Sequence, residues 1–177
     1  MISADSLRRL YRAPGSAQPP APERPRFAVV TCMDPRVDVA KALSIPASDL
    51  YLLRNAGGRV SPDTIRSLVV AWSEADVTEV IVVHHTDCRV AAFGNGELRT
   101  HAAAKLGADV SAVAIDFDPI GDLRGSVAED VERLRRPRSL PPDLPVSGFV
   151  YDVETATVDA VIVDPFSVLA TRTRIRS

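Results

Sequence analysis

Val80-Ile81-Val82-Val83-His84-His85-Thr86-Asp87-Cys88 is the stretch on which the fold turns. Its first half is a short, unbroken apolar run rich in β-branched residues, the pattern of a strand buried on both faces. The run predicts a strand over 77–83, followed by two imidazoles and a thiol. Upstream, Phe27-Ala28-Val29-Val30-Thr31-Cys32 has the same character and also ends on a thiol. Between the two lie a short predicted helix over 37–43, ended near Pro46, and a strand over 49–54 stopped by Asn55-Ala56-Gly57-Gly58. Ser61-Pro62-Asp63 starts a helix, with a serine cap, proline in the first turn and an acid facing the positive dipole end. That helix runs to about Ala75, with Ile65, Leu68, Val69 and Trp72 spaced to bury one face.

Downstream, a helix is predicted over 96–106, stopped by Gly107, and a strand over 110–117. A charged amphipathic helix over 122–136 follows, stopped by Pro137. Residues 148–153 and 157–163 alternate like a pair of exposed antiparallel strands. Strands alternating with helices predict an α/β fold: a mainly parallel central sheet flanked by helices, with antiparallel strands at its C-terminal edge.

The chain has 177 residues, enough for one domain with a sizeable core. Ser3 to Arg12 reads as a short helix, and the five prolines between Pro14 and Pro25 exclude regular structure there. The organisation expected is therefore an N-terminal helix and proline-rich arm over 1–26, then a single domain over 27–177. Basic and acidic residues number 21 and 23, so the basic excess of a nucleic-acid binder is absent. No apolar stretch approaches the roughly 20 residues of a membrane span, and the N-terminus lacks the apolar segment of a secretory signal. A cytoplasmic protein is expected. Two cysteines make no disulfide framework and point instead to reactivity or a metal.

Cys32 ends one predicted strand, while His84, His85 and Cys88 follow another. In an open parallel sheet, strand carboxyl ends on either side of a switch point line one crevice. Cys32, Cys88 and one histidine would give a Cys₂His set, a catalytic zinc arrangement with the fourth position open. Beside Cys32, Asp34 and Arg36 place a carboxylate and a guanidinium near the metal. An arginine partner can hold the carboxylate off the metal and leave it free to orient a bound water. The chemistry suggested is a zinc-bound hydroxide attacking a small electrophilic carbon. Blander readings exist for each residue. A cysteine ending an apolar strand is most often a buried small hydrophobe. Cys32 and Cys88 could form a redox pair, and Asp34–Arg36 a surface ion pair. The joint arrangement favours the metal.

Cys32-Met33-Asp34-Pro35-Arg36, Arg54-Asn55-Ala56-Gly57-Gly58, Ile65-Arg66-Ser67-Leu68 and His84-His85-Thr86-Asp87-Cys88 together resemble the β-class carbonic anhydrases, above all their compact bacterial branch. Gly148-Phe149-Val150-Tyr151-Asp152-Val153 resembles that family's closing strand, and the resemblance spans about Phe27 to Val163. It implies Cys32, His85 and Cys88 as zinc ligands, Asp34 and Arg36 as the supporting dyad, and reversible hydration of CO₂ to bicarbonate and a proton. It leaves His84 as a packed or hydrogen-bonded neighbour, and it implies a homodimer or larger homo-oligomer. His101 reads as a helix-surface residue. Two thiolates neutralise the zinc charge, so the metal needs help from its surroundings to acidify water. Hydrolysis of carbonyl sulfide or carbon disulfide on the same site is an alternative that motifs do not exclude. One departure stands out: Arg89 follows the second cysteine where the family usually has glycine. Arg89 is either strained at a positive φ or a long cation near the metal that narrows the entrance or binds bicarbonate. It also keeps open a non-catalytic, zinc-stabilised binding or assembly protein. The only glutamine, Gln18, lies in the proline-rich arm, so the pocket glutamine of plant-type members has no counterpart.

Overall fold

The computed structural model describes residues 26–136 and 140–173. In chain order the elements are β1 (Phe27–Cys32), α1 (Val39–Ala42), β2 (Leu50–Asn55), α2 (Pro62–Ala75) and β3 (Glu79–His85). Then follow α3 (Asn95–Leu106), α4 (Leu123–Arg135), β4 (Val146–Asp152), β5 (Thr157–Ile162) and α5 (Val168–Thr173). The predicted helix over 3–12 and the proline-rich connector over 14–25 lie outside the described residues.

The strands join one sheet in the order β2-β1-β3-β4-β5. β1 runs parallel to β2 and β3, β3 parallel to β4, and β5 antiparallel to β4. This is the mainly parallel sheet with an antiparallel C-terminal edge that the alternation of elements predicts. The chain leaves β1 on one side for β2 and returns on the other for β3. Strand order therefore reverses between β1 and β3, and a crevice opens at their carboxyl ends. Thr31 pairs with Val83, so Cys32 and the two histidines emerge at the same end of the sheet.

Period-two alternation gives the sheet two apolar faces. Ala28, Val30, Val80 and Val82 cluster with Leu68 of α2 and with Val131 and Leu134 of α4. Val29, Ile81 and Val83 cluster instead with Val37, Val39 and Leu169. Val29, Val30, Val82 and Val83 are fully buried, each worth roughly 1.5–3 kcal/mol in transfer free energy. Ser61 caps α2 by accepting from the Thr64 N–H, as the local sequence predicts. Gly148 lets α4 approach β4, since an added Cβ would stand 2.5 Å from Val127 Cγ1.

Several expectations are corrected. Residues 110–117 form no strand; Val110–Ala112 is a 3-10 turn and Ile115 is exposed. Both sides of β3 are already taken, by β1 and β4. The segment is tied to α3 instead: Asn95 bonds Asp116 and the Phe117 N–H, and Arg99 donates to the Ile115 carbonyl. β4 is buried and parallel to β3 rather than exposed; only β5 is the antiparallel edge. Trp72 is 40 % exposed because α2 presents Thr64, Leu68 and Ala71 most deeply, with Ile65 and Val69 partly buried. No helix among the described residues is long and apolar enough to cross a membrane.

Candidate metal centre

Cys32 is the last residue of β1, His85 the last of β3, and Cys88 lies in the turn just beyond. All three are buried, and one donor atom from each lies within 4.8 Å of the others. The two sulfurs are 3.9 Å apart, hydrogen-bonded but not joined by a disulfide. Two zinc–sulfur bonds of about 2.3 Å meeting at a tetrahedral angle would span about 3.8 Å. His85 Nδ1 donates to the Thr86 carbonyl at 2.8 Å, which leaves Nε2 as the nitrogen with a free lone pair. That Nε2 is buried with no hydrogen-bond partner. An orphan of this kind ordinarily costs about 1–3 kcal/mol, and a metal ion beside two sulfurs would remove the cost. The donor set therefore fits zinc.

One of the two sulfurs, that of Cys32, is electrostatically prepared for a cation. The hydrogen bond from Cys88 lowers the Cys32 pKa to about 4 against the opposing effect of burial, helped by His85 and by the backbone N–H groups of Asp34 and Gly57. The same bond, together with burial, pushes the Cys88 thiol up. A bound metal requires both sulfurs as thiolates and would displace that shared proton. Burial lowers the His85 pKa, but the neighbouring Cys32 sulfur outweighs it and the net shift is upward.

Asp34 is paired with Arg36 and is not one of the converging donors. The guanidinium donates from Nε to Oδ1 at 3.0 Å and from NH2 to Oδ2 at 2.7 Å, and the Arg36 backbone N–H adds a third bond at 3.0 Å. These bonds hold the Asp34 carboxyl far below the usual carboxylate range. Arg36 also donates to the Asp87 carboxylate at 2.7 Å and to the Asp87 carbonyl at 3.1 Å. Asp87 is a partner that sequence reasoning missed, because 51 residues separate it from Arg36. Arg54 fixes the same loop from β2, donating to the carbonyls of Cys32, Asp34 and Val37 at 3.0, 3.2 and 2.6 Å.

Gly57 and Gly58 adopt φ of 78° and 72°. A Cβ on Gly58 would stand 2.8 Å from the Cys32 nitrogen, so the glycine turn lets the two backbone segments approach closely. Ile120 packs with Cys32 and Cys88, flanked by Val90 and Leu123, as an apolar wall. His84 is the hydrogen-bonded neighbour expected, fully buried, with Nδ1 2.7 Å from Ser126 Oγ and Nε2 3.1 Å from Asp130 Oδ2. Asp130 also accepts from the Val60 N–H at 3.2 Å, which links α4, the strand end and the glycine turn. No local pattern signals Ser126 and Asp130. His101 is exposed, its ring edge-on to Phe93 at 5.0 Å. Arg89 does not have a positive φ; in this turn the left-handed residue is Asp87, at 53°. The strain expected of one reading is absent.

The carbonic anhydrase family profile matches residues 27–113. A carbon disulfide hydrolase of Saccharolobus solfataricus is 32% identical over 172 residues, covering 85% of this chain and 80% of the relative. Beta-carbonic anhydrase 1 of Mycobacterium tuberculosis is 30% identical over 143 residues, covering 80% and 85%. Among solved structures, the carbonic anhydrase of Streptococcus mutans superimposes with a TM-score of 0.75 at 40% identity, over 89% of this chain and 92% of that one. An apo carbon disulfide hydrolase gives a TM-score of 0.65 at 29% identity, over 96% and 88%. With the fold, the converging donors and these relatives in agreement, the chain belongs to the β-class carbonic anhydrase family.

Proposed function

We propose that this protein catalyses the reversible hydration of CO₂ to bicarbonate and a proton, with zinc held by Cys32, His85 and Cys88. The observation that carries the reading is the unpartnered, buried His85 Nε2 beside two sulfurs not joined by a disulfide. Bound there, zinc would acidify a water and so supply the nucleophile. The surrounding residues divide the remaining work. Arg36 keeps Asp34 ionised and fixed by two side-chain bonds. Asp34 is then an acceptor at any physiological pH, able to take a hydrogen bond from the attacking water and orient it. Ile120, Val90 and Leu123 present a dry apolar wall suited to a linear, nonpolar substrate. The test is stopped-flow hydration by the zinc-loaded protein with Cys32→Ser as control. Loss of turnover in the variant is expected, and equal rates would overturn the proposal.

The carbon disulfide hydrolases among the relatives favour a second reading, hydrolysis of CS₂ or carbonyl sulfide on the same site. Sulfide release from CS₂ outpacing CO₂ hydration would establish it. The absence of backbone strain at Arg89 removes one support for a non-catalytic role; zinc retained without turnover near neutral pH would restore that reading.

The working form we infer is a cytoplasmic homodimer or larger homo-oligomer, a zinc domain over 27–177 preceded by the arm over 1–26. A dithiolate site favours a reducing compartment. β2 forms one edge of the sheet among the described residues and exposes Tyr51 and Leu52, a surface suited to a second copy.

A further inference from the structure

We propose that Arg89 is the anion-selecting residue of this site, a permanent positive charge at the rim that binds bicarbonate and has no corresponding hold on CO₂. The proposal rests on the carbonic anhydrase reading and deepens it by naming what distinguishes the ionic partner of the reaction from the neutral one.

Arg89 opens the short 3-10 turn that follows Cys88, and its side chain is exposed. With Asp34, Arg36, Asp87 and Phe93 it lines a cavity of about 460 Å³ beside the metal ligand Cys88. The charges around that cavity are unequal in their freedom. Arg36 spends its Nε and both terminal nitrogens on Asp34 and Asp87. Among the described residues, no hydrogen bond or ion pair engages the Arg89 guanidinium. Asp87 feels its charge without bonding to it.

Without Arg89 the rim would hold two carboxylates against one guanidinium, a net negative charge facing the approach of an anion. Zinc with two thiolates is formally neutral and would not reverse that sign. Arg89 brings the rim to neutrality and adds the one uncommitted set of N–H donors. Its planar fork matches two oxygens of a planar oxyanion such as bicarbonate. CO₂ carries no net charge and gains nothing comparable. Glycine, the usual residue at this position in the family, would leave the rim negative.

The experiment measures bicarbonate itself, by calorimetric titration of the zinc-loaded full chain and by its KM in the dehydration direction, for native protein, Arg89→Gly and Arg89→Lys. Loss of one charge-assisted contact predicts a bicarbonate Kd about tenfold higher in Arg89→Gly. KM for bicarbonate is expected to rise with it, the effect falling on KM more than on kcat. Arg89→Lys should recover part of the affinity, through charge without the fork. The gap between native and glycine proteins should narrow as salt rises from about 0.01 M to about 0.15 M, where screening shortens from about 30 Å to about 8 Å. An unchanged Kd in a folded, zinc-loaded Arg89→Gly protein would overturn the proposal. The two readings fail separately. Arg89-dependent bicarbonate binding with no native turnover would sink the carbonic anhydrase reading alone, and native turnover with Arg89-independent binding would sink this one alone.

Discussion

β3 buries an ionisable side chain at each end, and the two ends are treated differently. Glu79 and His85 are each 1 % exposed. At the start of the strand, the Glu79 carboxylate accepts from the Ser167 hydroxyl and from the Val168 N–H at 3.1 Å. At its end, His85 Nε2 has no partner and two sulfurs lie close by. The adjacent His84 serves as an internal control, equally buried but with both ring nitrogens engaged. Burial alone therefore does not mark a functional group. A buried polar atom whose partners come from the chain anchors the fold, while one left open among converging donors marks a binding site.

The most direct way to break this comparison is His85→Ala. If Nε2 is a ligand, zinc per chain should fall towards zero and turnover should drop by more than the roughly 100-fold that loss of a supporting group costs. Metal content by elemental analysis and stopped-flow hydration on the same sample check both halves. A variant that keeps one zinc per chain would make His85 another satisfied core histidine and erase the contrast with His84.

A smaller effect sharpens the distinction within the site. Arg36 bonds Asp34 but is not itself among the converging donors. Arg36→Ala should leave zinc content intact while reducing turnover about 10–100-fold, the usual cost of losing a supporting partner. The released Asp34 carboxylate should then take the fourth position on the metal and close the site. A crystal structure of the variant showing Asp34 unmoved, or native turnover, would show that its fixing by Arg36 is dispensable.

These contrasts explain how much of the molecule was legible in its sequence. β1, β3 and α2 were legible because local signals set them, a β-branched run in the strands and a Ser-Pro-Asp start in the helix. Cys32, Cys88 and a histidine were legible as a converging set because each follows or ends a strand, and a parallel sheet brings such ends together; the choice of His85 over His84 came from the family resemblance and not from spacing. The strand expected over 110–117 failed because apolar content cannot report that both neighbouring slots of the sheet are filled. Trp72 was misplaced because spacing gives a helix a face but not the depth of each residue on it. The bonds of His84 to Ser126 and Asp130 span 42 and 46 residues, and those of Arg59 to Glu129 and Asp118 span 70 and 59. Side chains of that kind meet only after the chain has folded, so no window of sequence contains them.

The least drastic change tests the satisfied end of β3. Burial raises the Glu79 pKa above its ordinary value, and the nearby Asp164 charge adds to the rise, while the bonds from Ser167 and Val168 oppose it. The sign of the consequence follows from linkage. A carboxyl with a raised folded pKa favours folding most when protonated, so its contribution is full below the ordinary carboxyl range and declines as pH rises through the folded value. Glu79→Gln cannot ionise; its one carbonyl oxygen can accept from the Val168 N–H while its amide N–H donates to the Ser167 hydroxyl oxygen. Its stability relative to the native protein should therefore increase with pH from about 4.5, the ordinary glutamate value, and level off once Glu79 is ionised. Urea unfolding of both proteins across that range measures the difference directly, and zinc content should be the same in each. Parallel stability curves would mean that Ser167 and Val168 fully offset the burial of the charge, which would make this end of the strand a carboxylate site and not merely an anchor.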